Sequence, residues 1–213
     1  MKKIIQDTQT SYDAVAPEYA ERFKDEMDDK PFDRECLDRL AREVGEVDPI
    51  CDLGCGPGQI ARYLHRQGVK TLGVDLSPNM IAEAQRLNPE IHFHQGNMLS
   101  LPDADNAWGG IAAFYCIIHI PREQIVDALR EMKRVLKPGG VLLVTFHIGT
   151  EIEHIEKFFE NPVNLDFAFY QPNEMEGWMN EAGFELEETL VREPNPAVEV
   201  ATRRAYLFAR KPH

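Results

Sequence analysis

A single α/β domain, built on a mostly parallel sheet with helices on both faces, is the fold this sequence predicts. Three observations predict it. Between residues 49 and 147, five short apolar runs alternate with segments of helical period. The fifth run, Val141-Leu142-Leu143-Val144-Thr145-Phe146, is apolar almost throughout, as a strand buried on both faces must be. Two further strand-like runs, at 184–190 and 202–209, close the chain across Pro194-Asn195-Pro196, a short link that favours antiparallel pairing. Strands separated by helices need right-handed crossovers, which set parallel strands side by side between helical layers. The expectation is a doubly wound seven-stranded sheet with an antiparallel C-terminal hairpin, preceded by an N-terminal helical cap.

Taken in order, residues 1–48 form the cap. Tyr12, Val15, Tyr19 and Phe23 recur at three- and four-residue steps, and Cys36, Leu37, Leu40 and Val44 repeat the pattern after a break at Lys30-Pro31. Pro49-Ile50-Cys51-Asp52-Leu53 is the first strand, followed by a helix carrying Ile60, Ala61 and Leu64 that stops at Gly68. Thr71-Leu72-Gly73-Val74-Asp75 is the second. Ser77-Pro78 then reads as an N-cap with proline at the first helical position, and that helix runs to Asn88-Pro89. Ile91-His92-Phe93-His94 is the third strand, and residues 110–114 form the fourth. Pro121 opens the next helix, with Ile125, Leu129, Met132 and Leu136 on one face. Lys133, Arg134 and Lys137 fall in its last turns, where the helix dipole favours cations, and Pro138-Gly139-Gly140 ends it. Beyond Gly149 the rhythm loosens: 151–160 reads as a helix, 161–171 as an irregular aromatic stretch and 173–182 as the last helix. The whole is one domain over 1–213: cap 1–48, core 49–147, insertion 148–172, and a final helix and hairpin over 173–213.

The chain's 213 residues, 43% hydrophobic and 28% charged, suit a globule with a real core. No stretch reaches the roughly 20 apolar residues of a membrane helix, the first residues lack the apolar run of a signal peptide, and a cytoplasmic address is expected. The net charge of −13 is unevenly spread. Residues 1–48 hold 14 acids and 8 bases, 151–213 hold 13 and 6, and the middle is balanced at 9 and 9. Acidic flanks without a Lys/Arg stripe repel phosphate backbones, so nucleic acid is not an expected partner. Cys36, Cys51, Cys55 and Cys116 contain no C-x-x-C pair and read as reduced thiols, with neither a disulfide framework nor a zinc site expected.

The stretch richest in chemistry is Asp52-Leu53-Gly54-Cys55-Gly56-Pro57-Gly58, where the first strand meets its helix. Glycines there let backbone approach a ligand at the carboxyl edge of a parallel sheet. Asp75 ends the second strand, 21 residues beyond Gly54, where a carboxylate can accept both ribose hydroxyls of a nucleoside. A dinucleotide fingerprint would place a third small residue where Gln59 stands. Asp52, two residues before the first glycine, would also oppose a pyrophosphate electrostatically, whereas it suits an ammonium and a sulfonium. The expected ligand is S-adenosylmethionine.

On these residues the chain resembles the class I S-adenosylmethionine-dependent methyltransferases, in the broad small-molecule group that includes quinone-biosynthesis enzymes. The resemblance runs from about Tyr12 to the C-terminus. It is carried by the glycine turn, by Gly73-Val74-Asp75-Leu76-Ser77-Pro78-Asn79-Met80, by Gly96-Asn97-Met98 and by Leu136-Lys137-Pro138-Gly139-Gly140. Weaker echoes are Tyr12-Asp13-x-x-Ala16-x-x-Tyr19 and Ile118-His119-Ile120-Pro121. The resemblance implies a Rossmann-like fold and a turn (Gly54, Cys55, Gly56, Pro57, Gly58) lying against the methionine and ribose parts. It implies Asp75 on the ribose, Leu76 and Met80 beside the adenine, and Asn97, Met98 and Leu99 at the adenine edge. Many relatives have Asp at the place of Asn97, whose amide can still make one hydrogen bond. Phe114 and Tyr115 are expected at the methionine end, with Tyr12 and Tyr19 as core packing or as a lid.

An electrophilic sulfonium methyl needs little from the protein beyond an acceptor held in line with water excluded. A base is required only for a poor nucleophile with a proton to lose, and His119 and His147 are the candidates. The aromatic segment around Phe158, Phe159, Phe167, Phe169 and Tyr170 would cover a flat or apolar acceptor, and Arg203-Arg204 would either meet a substrate carboxylate or lie on the surface. The expected activity is methyl transfer from S-adenosylmethionine, released as S-adenosylhomocysteine, to a small molecule by a monomer or homodimer. The rivals are a nicotinamide-dependent oxidoreductase and a non-catalytic nucleoside-binding protein of the same fold.

Overall fold

The computed structural model of the protein describes residues 2–213. The acidic cap forms α1 (Lys2–Phe23), a short 3-10 turn at Glu26–Asp29 and α2 (Pro31–Val44). Proline at the first position of α2 gives up only an N–H that would lack a helical partner anyway. The core then alternates as expected: β1 (Ile50–Leu53), α3 (Gln59–Arg66), β2 (Thr71–Asp75), α4 (Pro78–Leu87), β3 (His92–Gln95), β4 (Trp108–Phe114), α5 (Ile125–Val135) and β5 (Leu136–His147). A two-stranded ribbon follows, β6 (Ile152–Phe158) and β7 (Asn161–Ala168), then α6 (Pro172–Ala182), β8 (Glu185–Arg192) and β9 (Arg204–Arg210).

The main sheet has seven strands in the order β3-β2-β1-β4-β5-β9-β8. β9 runs antiparallel between β5 and β8, which makes the expected hairpin. Strand order reverses between β1 and β4, the switch point where such sheets leave a crevice outside their carboxyl ends. β1 and β4 are buried along their whole length. The helices of both faces close over apolar clusters centred on Leu129, Met132 and Phe146 on one side and on Leu37, Leu40 and Phe208 on the other. Among the described residues, no helix is long and apolar enough to cross a membrane.

Three expectations are corrected. The stretch 151–160 is a strand and turn, not a helix: β6 pairs antiparallel with β7 through Phe158↔Asn161, leaving Phe159-Glu160 as a two-residue turn. Such turns call for Gly or Asn at positive φ, yet here Phe159 adopts φ 53°, so no turn residue marked the hairpin. Tertiary packing decides it, since Phe158 and Phe159 stack on each other and pack edge-on or tilted against Tyr19 of α1. Second, α5 ends at Val135, because Leu136 already pairs with Trp108 in the sheet. Third, Pro121 opens a 3-10 turn at Arg122–Gln124 before α5 begins.

Candidate functional site

A cavity of about 550 Å³ lies at the carboxyl edge of the sheet, closed over by α1 and the β6–β7 ribbon. That volume falls within the range of small-molecule pockets. The glycine turn supplies one wall. Gly54 adopts φ +72°, and a Cβ there would sit 2.3 Å from the Cβ of Cys116, so the turn packs against the end of β4 with no room for a side chain. At Gly56 (φ +51°) the nearest atom to a Cβ would be Tyr19 at 3.8 Å; that backbone faces open cavity.

Asp75 stands opposite the turn. Its Oδ2 accepts the Gly56 N–H at 2.9 Å and its Oδ1 accepts the Ser77 N–H at 2.8 Å, which fixes the carboxylate and leaves further lone pairs toward the cavity. Burial lifts its carboxyl to about 6 while the backbone donors pull it down. Ser77 caps α4 by accepting the Met80 N–H at 3.0 Å and donates its own hydroxyl to Asp13 at 2.5 Å. Leu76, Met80, Asn97 and Met98 complete this end. Asn97 spends its carbonyl on the Leu99 N–H at 3.0 Å, so its amide NH₂ is the group offered to a ligand.

Asp52 departs from its expected place. Its Oδ2 accepts the Ala61 N–H at 2.9 Å, inside the first turn of α3, and its side chain is buried outside the cavity lining. Burial raises its carboxyl to about 8. An acid whose folded pKa lies above its unfolded value binds protons preferentially in the folded state, so folding stability falls as pH rises from about 4 to 8. Replacing Asp52 with Asn is expected to shrink that loss by at least about 1 kcal/mol, seen by urea unfolding at pH 5 and 8. An unchanged difference would refute it. Pro57, Gly58 and Leu99 also lie outside the lining.

Two cavity groups carry no motif and were missed. Glu26, from the 3-10 turn, accepts from Gln59 Nε2 at 2.9 Å and from Lys30 Nζ at 3.0 Å, and all three residues line the cavity. Gln59 Oε1 is buried with no hydrogen-bond partner among the described residues, an acceptor without a donor. The position that argued against a dinucleotide thus belongs to the site.

Tyr12, Tyr19, Cys55, Phe114, Tyr115 and His147 line the same cavity, as does His119. His119 Nδ1 lies 2.9 Å from the carbonyl of Asp166, which can only accept. Nδ1 therefore carries the proton, and Nε2 accepts from the Tyr12 hydroxyl at 2.7 Å. His147 Nδ1 meets Thr202 Oγ1 at 2.7 Å, and its ring lies 4.9 Å from that of Tyr115. Burial lowers both imidazoles to about 4, keeping them neutral at pH 7, and Arg204 and Lys30 add to the effect at His147. The accepting nitrogen of His119 is already committed to Tyr12. Of the arginine pair, Arg203 is exposed beside Glu193, while Arg204 is 3% exposed and lines the cavity near Glu199.

Comparison with known proteins gives the same picture. A model of the methyltransferase domain matches residues 50–140. The malonyl-[acyl-carrier protein] O-methyltransferase of Enterobacter lignolyticus is 37% identical over 100 residues, 45% of this chain and 38% of that relative. The demethylmenaquinone methyltransferase of Chlorobaculum parvum is 37% identical over 98 residues, 45% of this chain and 40% of the relative. The chain thus aligns with well under half the length of these curated relatives. The crystal structure of the Burkholderia thailandensis 1,6-didemethyltoxoflavin-N1-methyltransferase, with its substrate and S-adenosylhomocysteine bound, superposes with a TM-score of 0.72 at 18% identity. It matches over 98% of this chain and 90% of that one, a likeness of fold.

Proposed function

We infer that the chain is a class I S-adenosylmethionine-dependent methyltransferase, and that it transfers a methyl group from S-adenosylmethionine to a small-molecule acceptor held in the same cavity. One observation carries the reading: the glycine turn lies between two different polar ends. At one end stands the Asp75 carboxylate, at the other Glu26 with Lys30 and the orphaned carbonyl of Gln59. A nucleoside bearing an α-amino acid fits this polarity. Asp75 would accept the two ribose hydroxyls, Glu26 and Gln59 Oε1 the ammonium hydrogens, and Lys30 would face the carboxylate. A pyrophosphate would meet Glu26 and Asp75 instead, which is unfavourable at low dielectric.

S-adenosylmethionine supplies a methyl carbon already activated for displacement. The protein's part is to hold, orient and exclude water. Tyr12 and Tyr19 from α1 and Phe158 and Phe167 from the ribbon line the cavity, and Phe114, Tyr115 and Phe169 add aromatic surface for an acceptor. The relatives are named for acceptors as unlike as an acyl carrier protein conjugate and a quinone, so family membership leaves the acceptor to the cavity itself.

Calorimetry with S-adenosylhomocysteine and with NAD tests the reading: the first is expected to bind and the second not, and the reverse would overturn it. Glu26→Gln refines the test. It is expected to weaken S-adenosylhomocysteine roughly tenfold, the worth of one charge-assisted hydrogen bond. Affinity for 5′-methylthioadenosine, which lacks the amino acid, should not change. Equal losses for both ligands would remove Glu26 from the ammonium.

A further inference from the structure

A second polar group lines the cavity from α2 and the end of β4, and its hydrogens can be assigned by elimination. Arg192 Nε can only donate, so the Tyr206 hydroxyl oxygen accepts from it at 2.9 Å. The single proton of Tyr206 goes to Asp33 Oδ1 in a short hydrogen bond. At the 3.1 Å contact between the two tyrosine hydroxyls, Tyr115 must therefore be the donor. Tyr115 lines the cavity, and its oxygen keeps lone pairs with no partner among the described residues. Asp33 is fully buried and also lines the cavity; Arg192 holds its Oδ1 at 3.0 Å, and its Oδ2 has no hydrogen-bond partner among the described residues. Two hydroxyls thus point their protons one way, from the cavity to a carboxylate.

The backbone marks the same place. Tyr115 adopts φ 51°, a left-handed conformation unusual for a bulky residue and one that costs on the order of 1–3 kcal/mol. Hydrogen bonds from its N–H to the carbonyl and hydroxyl of Thr145 hold it there. Its ring is pressed against His147, with Lys30 Nζ 5.8 Å from the ring centroid. Neither histidine serves equally well, because His119 gives its accepting nitrogen to Tyr12 and the described residues offer His147 no carboxylate to receive a proton.

We propose that Tyr115, Tyr206 and Asp33 form a proton relay that deprotonates the methyl acceptor, and hence that the acceptor is a flat molecule with a hydroxyl or N–H hydrogen on the atom to be methylated. The proposal rests on the methyltransferase reading above. The acceptor's lone pair forms the new bond to the methyl carbon, and the pair of the broken carbon–sulfur bond stays on sulfur. The acceptor's proton passes to Tyr115 Oη, that of Tyr115 to Tyr206 Oη, and that of Tyr206 to Asp33 Oδ1. The sulfonium's positive charge and the carboxylate's negative charge vanish together, so no outside base is needed. The aromatic lining supplied by Phe114, His147 and Phe169 favours a flat acceptor.

The probes are 4-nitrophenol and its methyl ether 4-nitroanisole, titrated into protein saturated with S-adenosylhomocysteine. The phenol is expected to bind about tenfold more tightly, the value of a hydrogen bond to an otherwise unpaired acceptor. Tyr115→Phe should abolish that preference. Asp33→Asn should keep it but let the bound phenol ionise at lower pH, read from phenolate absorbance, because the carboxylate's negative charge no longer opposes the phenolate. Equal binding of phenol and ether to the unmodified protein, a preference surviving Tyr115→Phe, or an ionisation indifferent to Asp33→Asn would each overturn the relay. Failure of S-adenosylhomocysteine to saturate the protein would instead remove the reading beneath it, and that is seen before either probe is added.

Discussion

Asp75→Ala is expected to weaken S-adenosylhomocysteine binding by about 100-fold or more while the protein still folds. Two hydroxyl hydrogen bonds to one carboxylate, each worth about 1.5 kcal/mol or more when charge-assisted, give that factor. The stability loss is smaller, because the N–H groups of Gly56 and Ser77 that lose their acceptor lie beside a cavity water can enter. The same residue predicts a pH dependence. Burial holds its carboxyl up to about 6 in the free protein, and the ribose hydroxyls bind best to the ionised form. Affinity should therefore be full above pH 7 and fall as the pH drops through 6, with proton release on binding in that window. Calorimetry at pH 5 and 7.5 checks both statements, and Asp75→Asn should flatten the profile. Binding insensitive to Asp75→Ala would take the residue off the ribose.

Gly54→Ala carries the largest expected effect on the fold. Two costs combine at one position: a left-handed backbone and a Cβ placed 2.3 Å from the Cβ of Cys116. Together they are expected to destabilise the protein by about 3 kcal/mol or more, a drop in Tm of several degrees. The clash is with a Cβ rather than a side-chain tip, so Cys116→Ala should not relieve it and Cys116→Gly should relieve part. Gly56→Ala makes the informative contrast. Its Cβ meets nothing closer than 3.8 Å, so the variant should unfold at a temperature much nearer the parent's while losing ligand affinity, since the methyl occupies the cavity. Equal Tm losses in the two variants would contradict this division of roles.

Much of this protein can be read along the chain because its signals are local. A strand buried on both faces announces itself at Val141-Leu142-Leu143-Val144, and Ser77-Pro78 marks a helix start by capping chemistry alone. Asp75 is legible because its place opposite the glycine turn follows from standing at the end of the neighbouring strand. The ribbon over the cavity is not legible: its turn residues, Phe159-Glu160, carry no turn chemistry, and only packing against α1 holds them. Asp52 shows the opposite limit. Its place beside the glycines is plain in the sequence, but its side chain turns to a helix end rather than to the cavity.

The sequence by itself determined the seven-stranded sheet, the glycine turn and the carboxylate that faces it, since each is announced by local residue patterns: apolar runs alternating with helical periods, a cluster of glycines, and an acid at a strand end. Only the tertiary structure decided which groups share the cavity with them. Glu26 reaches Gln59 across 33 residues and Asp33 reaches Tyr206 across 173. Pairings of that span leave no period or motif in the chain, because the geometry that joins them exists only once the sheet has closed.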